Sequence, residues 1–426
     1  MIGIQKRLAA PFYILLGLPS TAMGFALSIQ IAVLSWILRT RYNLEIDQIG
    51  FVWAAGPIAG ILGQPLIGLI SDKVWFWGGR RRPFIIMGGI LAALMILALP
   101  FIGRINDFFG IGSLLAVAIT VALTLDLSIN ISFNPTRSII ADVTPEGQAR
   151  TKGYTWMQSV SNLFGSLAYL IGAIAGNYFL IFLGAAIVFL FSILPLFFIE
   201  EPKELKSTKT DGEISQSSGT QWKDLLKLYF AHSFSWLGIQ TMFVYMFAFL
   251  EQKMPMPSAS SGERPVLLGQ MIGWSFFILN AVGSIWPAFL LEPVAKRIGR
   301  VRTHVICLLT MSAGYFGIVF FAHDAFMLYS MMCVLTLGWA AVVSLPFAVM
   351  SEKVDKNRMG FFMGLFNLSV VLPQLIASLI LGKVITISEN KNVIFLISGI
   401  SLLISAVLWI FVRERNRGLQ SPEPGN

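Results

Sequence analysis

The sequence predicts an all-α membrane protein of twelve transmembrane helices in two pseudo-symmetric six-helix bundles. Three observations carry this expectation. Hydrophobic residues make up 56% of the chain and charged residues only 12%, with a mean hydropathy of +0.74, whereas an ordinary soluble domain carries about 25% charged residues. The apolar residues come in runs of about 20, the number a helix needs to cross roughly 30 Å of hydrocarbon. One polar connection, residues 200–223, divides these runs six and six.

In the first half the runs are 11–38, 46–71, 83–102, 111–140, 154–175 and 177–199; in the second they are 225–250, 266–291, 305–321, 326–350, 361–384 and 393–412. The first follows Lys6 and Arg7 without a small-residue cleavage pattern, so it reads as a retained span rather than a signal peptide. The fifth and sixth are separated only by Gly176-Asn177. The 200–223 connection is rich in Ser, Thr, Gly, Lys and Glu and has no apolar periodicity, which is the composition of a flexible linker. The expected organisation is therefore a bundle over 1–199, a cytoplasmic linker over 200–223, a second bundle over 224–413 and a cytoplasmic tail over 414–426.

Orientation follows from the basic residues. Of the 31 lysines and arginines, 23 fall in loops on one side of the spans and seven on the other, with Arg137 near a helix end. Cytoplasmic loops carry the Lys/Arg excess. Both termini are expected in the cytoplasm, which requires an even number of spans, and the protein is expected to be multi-pass in the cell (inner or plasma) membrane. The halves also echo each other: Asp72 precedes Gly79-Arg80 by the same offsets at which Glu292 precedes Gly299-Arg300, and Asp142 is echoed by Glu352.

Several function classes fall away. The net charge of +9 sits in loops between spans, not along an aromatic-rich face, so nucleic acid is not an expected partner. Cys307 and Cys333 both lie in spans and suggest neither a disulfide framework nor a zinc site. No nucleophile with its base, metal-ligand cluster or phosphate-binding Gly-Lys loop is found, so the reading is not an enzyme, has no cofactor, and leaves an ion gradient as the energy source.

The residue that demands an explanation is Asp126, in the middle of the fourth run. A charged carboxylate there costs roughly 2.5–3.5 kcal/mol on insertion scales. It must face a cavity, find a partner or stay protonated, and burial favours the neutral acid while a nearby cation favours the anion. Such a group can load and discharge a proton as solvent access alternates; the competing reading is a structural hydrogen bond between helices. Arg137 lies three turns further on, about 16 Å along the axis and on nearly the same face, and Asn130 and Asn134 fall near that stripe. Pro135 should bend the helix. For Arg137 alone, a snorkelling interfacial residue is an equal reading.

Polar residues elsewhere in spans are Ser28 and Gln30, Gln64, Gln158 and Asn162, Gln240, Asn280, and Asn367 and Gln374. Each can bond helix to helix or bind ligand, and as a set they suit a hydroxyl-rich substrate. His232 is expected at the cytoplasmic interface. At the cytoplasmic ends, Asp72 with Arg80, Arg81 and Arg82, Asp142, and Glu292 with Lys296, Arg297 and Arg300 are candidates for conformational gating.

Four segments then carry a resemblance: GPIAGILGQPLIGLISDKVWFWGGRRRP over 56–83, LDLSINISFNPTRSIIAD over 125–142, LNAVGSIWPAFLLEPVAKRIG over 279–299 and MGLFNLSVVLPQLIAS over 363–378. They resemble the major facilitator superfamily, and within it the plant sucrose transporters with their animal and bacterial relatives among the glycoside-pentoside-hexuronide symporters. The resemblance implies the major facilitator fold, a proton-coupling and sugar-binding role for Asp126 and a transport role for Arg137. Span one departs from the plant pattern, reading GFALSIQ with Ser28 where Gln is common and a Gln at position 30. Sucrose, maltose or another glucoside all fit. The expectation is a proton-coupled sugar symporter, functional as a monomer in the lipid bilayer; the alternatives are a sodium-coupled symporter, an efflux carrier and, from another class, a non-transporting membrane sensor.

Overall fold

The computed structural model describes residues 8–71, 74–145, 148–202, 222–254, 260, 262–351, 353 and 359–413. Each of the twelve apolar runs is helical. Among the described residues, nine helices are long and apolar enough to cross a membrane. The other three runs are shorter or less apolar. The second passes Ala54 as Ile46–Trp53 and Ala55–Ser71, and its described apolar stretch is Ile46–Ile61. The fifth, Gln148–Ala175, carries Gln158, Ser159, Ser161 and Asn162 within its apolar stretch, and the twelfth, Val393–Trp409, has 17 residues.

Several helices outrun their apolar cores, because a helix continues wherever its backbone finds partners, whether lipid or water surrounds it. The third span runs from Arg82 through a 3₁₀ turn at Leu99–Phe101, where Pro100 lies, to Phe109, two turns past its expected end; Gly110, at φ +60°, stops it in the left-handed conformation glycine tolerates. The fourth span, Leu114–Val143, is capped by Ser113, whose hydroxyl accepts from the Ala116 N–H at 3.2 Å, and it passes Pro135 without ending. The expected joint between the fifth and sixth spans is a single residue, Gly176 (φ +85°). The eighth and eleventh spans each contain one π-helical turn, Pro287–Leu291 and Ala377–Leu381. Such turns are commonest near functional sites.

The helices pack mostly within two sets of six. The first span lies against the fifth and sixth and the fourth against the second and third; in the second set the seventh lies against the eleventh and twelfth, and the ninth against the tenth and twelfth. The sets meet chiefly through the fifth span on the eighth and the second on the eleventh. At the Gly273 crossing, a Cβ would come within 2.7 Å of the Ala173 backbone nitrogen, so only glycine permits the approach.

Three side chains of the first span join the sets at one end. Ser35 Oγ donates to the Val244 carbonyl at 2.7 Å, Trp36 Nε1 to the Pro265 carbonyl at 2.6 Å, and Arg39 pairs with Glu251 at 3.2 Å. Close by, a Cβ on Gly50 would run into the Ser378 carbonyl and the Tyr245 hydroxyl. At the opposite end two ion pairs close within their own sets: Arg81 with Asp142 at 3.1 Å and Lys353 with Asp224 at 3.6 Å.

Candidate transport site

Asp126 sits midway along the fourth span and is buried, with 6% of its surface exposed. Gln30 of the first span donates its Nε2–H to Asp126 Oδ2 at 3.0 Å. On the second span Gly56 faces the same carboxylate, and a Cβ there would lie 3.4 Å from each of its oxygens. Three helices thus converge on one acid, and the glycine supplies the room. Among the described residues no ion pair involves Asp126. The Gln30 orientation is fixed by chemistry, since its NH₂ must point at a carboxylate, and this leaves Gln30 Oε1 buried without a partner. An unmade acceptor in a dry interior is costly unless something else can meet it.

The stripe expected below Asp126 divides in two. Asn130 is buried and turns its amide back to the Asp126 carbonyl at 2.8 Å, while a Cβ on Gly63 would lie 3.2 Å from the Asn130 Cβ. Arg137 is exposed, with its guanidinium 4.1 Å from the centre of the Phe133 ring, and it lines a cavity of about 540 Å³ with Tyr154, Met157, Gln158 and Ser159. Tyr154 Oη donates to the Arg137 carbonyl at 3.2 Å. Gln158 Nε2 donates to Asn162 Oδ1 at 2.8 Å on the same exposed flank.

In the second set Gln374 Nε2 donates to Gln240 Oε1 at 3.2 Å, linking the eleventh span to the seventh. Like Asn130, Ser28 and Asn280 donate within their own helices, to Gly24 at 3.1 Å and to Phe276 at 2.9 Å, and Ser28 also meets the Tyr169 side chain of the fifth span. Asn367 is half-buried on the eleventh span. The Gln64 side chain and Asp72 lie outside the described residues.

His232 is a correction. It is 1% exposed, accepts from Trp236 Nε1 at 3.0 Å and stacks on Phe366 at 4.9 Å, because the first turns of the seventh helix are covered by the eleventh and twelfth spans. Cys307 is buried and Cys333 exposed, and both are free thiols.

Five of the gating candidates, Arg80, Arg81, Arg82, Asp142 and Glu292, have partners in the half to which they themselves belong or at the first residues of the linker. Arg81 holds Asp142, and the backbone N–H groups of Arg80, Arg81 and Arg82 all donate to the Glu201 carboxylate at 2.8 Å. A carboxylate at a helix start is where the helix dipole favours negative charge. Glu292 pairs with Lys296 at 2.7 Å one turn along its own exposed helix, and that cation together with the hydrogen bond holds the Glu292 carboxyl below the usual range. Arg297 is exposed there, and Arg300 opens the ninth span.

Sequence reasoning missed Glu201, Asp224 and Lys353, which look like ordinary loop charges until the chain is folded. It also passed over a readable signal. Leu27-Ser28-Ile29-Gln30 and Leu237-Gly238-Ile239-Gln240 are 210 residues apart, and the same offset relates Asp142 to Glu352 and Asp126 to Thr336. Gln30 and Gln240, both of which meet partners across helices, thus stand at matching positions of the two halves.

The sequence profile of the Major Facilitator Superfamily matches residues 17–378 and 271–426. Similar proteins include sucrose transport protein SUT2 from Oryza sativa subsp. indica, 23% identical over 77% of this chain and 78% of that protein. Sucrose transport protein SUC4 from Arabidopsis thaliana is 22% identical over 86% and 82%. Among solved structures, the fold is similar to a mutant form of the nucleoside transporter NupG, with a TM-score of 0.74 at 12% identity over 94% of this chain and 99% of that one. The xylose transporter XylE from E. coli in an inward-open conformation gives 0.70 at 15% identity over 96% and 97%. With a profile match over most of its length, and a fold similar to these solved structures, the chain belongs to the Major Facilitator Superfamily.

Proposed function

We propose that the chain is a proton-coupled symporter that imports a disaccharide or glucoside, sucrose or maltose first among them, by alternating access between the halves 1–199 and 224–413. The observation that carries this reading is the buried Asp126 with Gln30 as its hydrogen-bond partner and Gly56 at its side. The sugar comes from the relatives, which are sucrose transport proteins. The described polar links between the halves lie at the lysine- and arginine-poor end, and the positive-inside rule supports reading that end as external, with both termini and the opening of the site on the cytoplasmic side.

Gln30 gives the coupling a mechanism. Against the anion, its amide donates to Asp126 and its oxygen is left over. Once the acid is protonated it becomes a donor itself, and the amide can turn to accept from it, freeing N–H groups for a sugar hydroxyl. Proton and sugar then share one residue, and each favours the other's binding. The Gln240–Gln374 pair offers amides from the opposite half, and closure around the sugar brings the halves together. Arg137 stands on the cytoplasmic route as a cation that substrate and proton pass on release. A single chain is sufficient for this cycle.

The test is uptake in proteoliposomes of the purified full chain, with external pH recorded. Sucrose or maltose should enter against its gradient only with an inward proton gradient, each sugar bringing protons with it. An Asp126→Asn carrier should equilibrate sugar without accumulating it. Accumulation by that variant, or accumulation driven by sodium at constant pH, would sink the proposal.

A further inference from the structure

A cavity of about 1500 Å³ lies wholly in the second half, where the ends of the eighth, tenth and twelfth spans meet the start of the ninth. Small-molecule pockets are about 300–1,000 Å³, so it is large for a sugar, and it shares no residue with Asp126 or the amide pair. Its walls are ordered by depth. The ninth span enters with Arg300 and Arg302 and presents Val305 and Ile306 one turn further in; the twelfth leaves with Ile410 and Val412 and then Arg413. On the eighth span Leu291 precedes Lys296 in the same sense. Three helices therefore place cations at the rim and aliphatic side chains beneath. Ile306 and Ile410 are 53% and 63% exposed, so the deeper surface is open.

Among the described residues the lining contains four cations and one carboxylate, Glu292, which is taken by Lys296 at 2.7 Å, and two of the cations, Arg302 and Arg413, stand outside that pair at the rim. Arg302 and Arg413 are exposed and in no ion pair among the described residues. An occupant must bring negative charge to the rim and hydrocarbon to the wall.

We infer that this cleft is a binding site for an anionic phospholipid, its phosphate between Arg302 and Arg413 and an acyl chain along Ile306 and Ile410. Basic pockets between transmembrane helices at the cytoplasmic level are where such headgroups dock. A soluble anion would use the arginines but leave the aliphatic wall unexplained. A zwitterionic lipid would use the wall but gain nothing from the excess charge.

Native mass spectrometry of the full chain, released from bilayers of equimolar phosphatidylglycerol and phosphatidylcholine, tests this. The protein should retain phosphatidylglycerol in preference. Arg302→Gln and Arg413→Gln should each reduce that preference about fivefold, corresponding to about 1 kcal/mol per cation at an anionic surface. Arg104→Gln, at the other end of the molecule, should leave it unchanged, and thermal melting of each variant reports on its fold. Equal retention of the two lipids, insensitivity to both arginine changes in folded protein, or displacement of the lipid by inorganic phosphate would overturn the assignment. So would a preference that appears only in Glu414→Gln, because the chain's own carboxylate would then be the anion at the rim.

Discussion

In the N-terminal half, Asp126 is buried on the fourth span and receives an N–H from Gln30; 210 residues later the tenth span carries Thr336, fully buried, whose hydroxyl receives an N–H from Trp286 at 2.7 Å. The amides differ in the same way: Gln30 answers an acid, whereas its counterpart Gln240 answers another amide, Gln374. The matching positions thus hold an ionisable group in one half and neutral hydrogen-bonding groups in the other. In the proposed cycle this asymmetry puts the proton in the first half and neutral, adjustable contacts in the second.

The sharpest way to break this comparison is to neutralise both positions. Asp126→Asn should lower concentrative sugar uptake by more than about tenfold while leaving the melting temperature nearly unchanged, since an amide can still accept from Gln30. Thr336→Val should do the reverse. It forfeits a buried hydrogen bond worth about 0.5–1.5 kcal/mol, so thermal melting should fall while the proton-to-sugar ratio stays constant. Transport assays run beside thermal melts separate the two, and a Thr336→Val carrier that uncouples would erase the distinction.

Closure can be attacked at Gly50. Gly50→Val places carbon where the Ser378 carbonyl and Tyr245 hydroxyl now sit, and overpacking of this kind costs about 1–3 kcal/mol. That should shift the population roughly five- to 150-fold toward the state open at this end. Spin-label distances between the halves there should lengthen; an unchanged distance distribution would show that the end is not sealed by this contact. A smaller effect is expected from Gln374→Leu, which removes the Gln240 partner: apparent sugar affinity should weaken several-fold with coupling intact, read as KM in proton-driven uptake. The smallest should come from Arg39→Gln. The Arg39–Glu251 pair is partly exposed, and such pairs are worth about 0.2–1 kcal/mol, so the same spin-label distances should move slightly at low salt and hardly at all at high salt.

Much of the architecture was legible because lipid imposes its own rule. A chain that must satisfy every backbone group internally and cross hydrocarbon shows its spans as apolar runs. Pro100 and Pro135, a residue type that commonly ends helices, do not end these, since the helices resume or continue beyond them. Asp126 was legible for the same reason, as a carboxylate where hydropathy permits none. Other site residues were harder. Asn130 and Asn280 have the right chemistry, but their amides donate within their own helices, and a string of letters does not say which acceptor a side chain reaches first. His232 was misplaced because nearness to the end of a span says nothing about which neighbouring helices cover that end.

By itself the sequence determined that this chain lives in a membrane, that its spans divide into two related halves, and that one acid stands in the interior. Those are one-dimensional facts, set by apolar run length, by repetition and by the cost of charge in lipid. Only the tertiary structure decided which groups meet that acid. Gln30 and Gly56 lie 96 and 70 residues before Asp126, and the halves touch at one end through Ser35, Trp36 and Arg39. Hydrogen bonds act over about 3 Å of space whatever the distance along the chain, so the partners of Asp126 exist only once three helices are packed together.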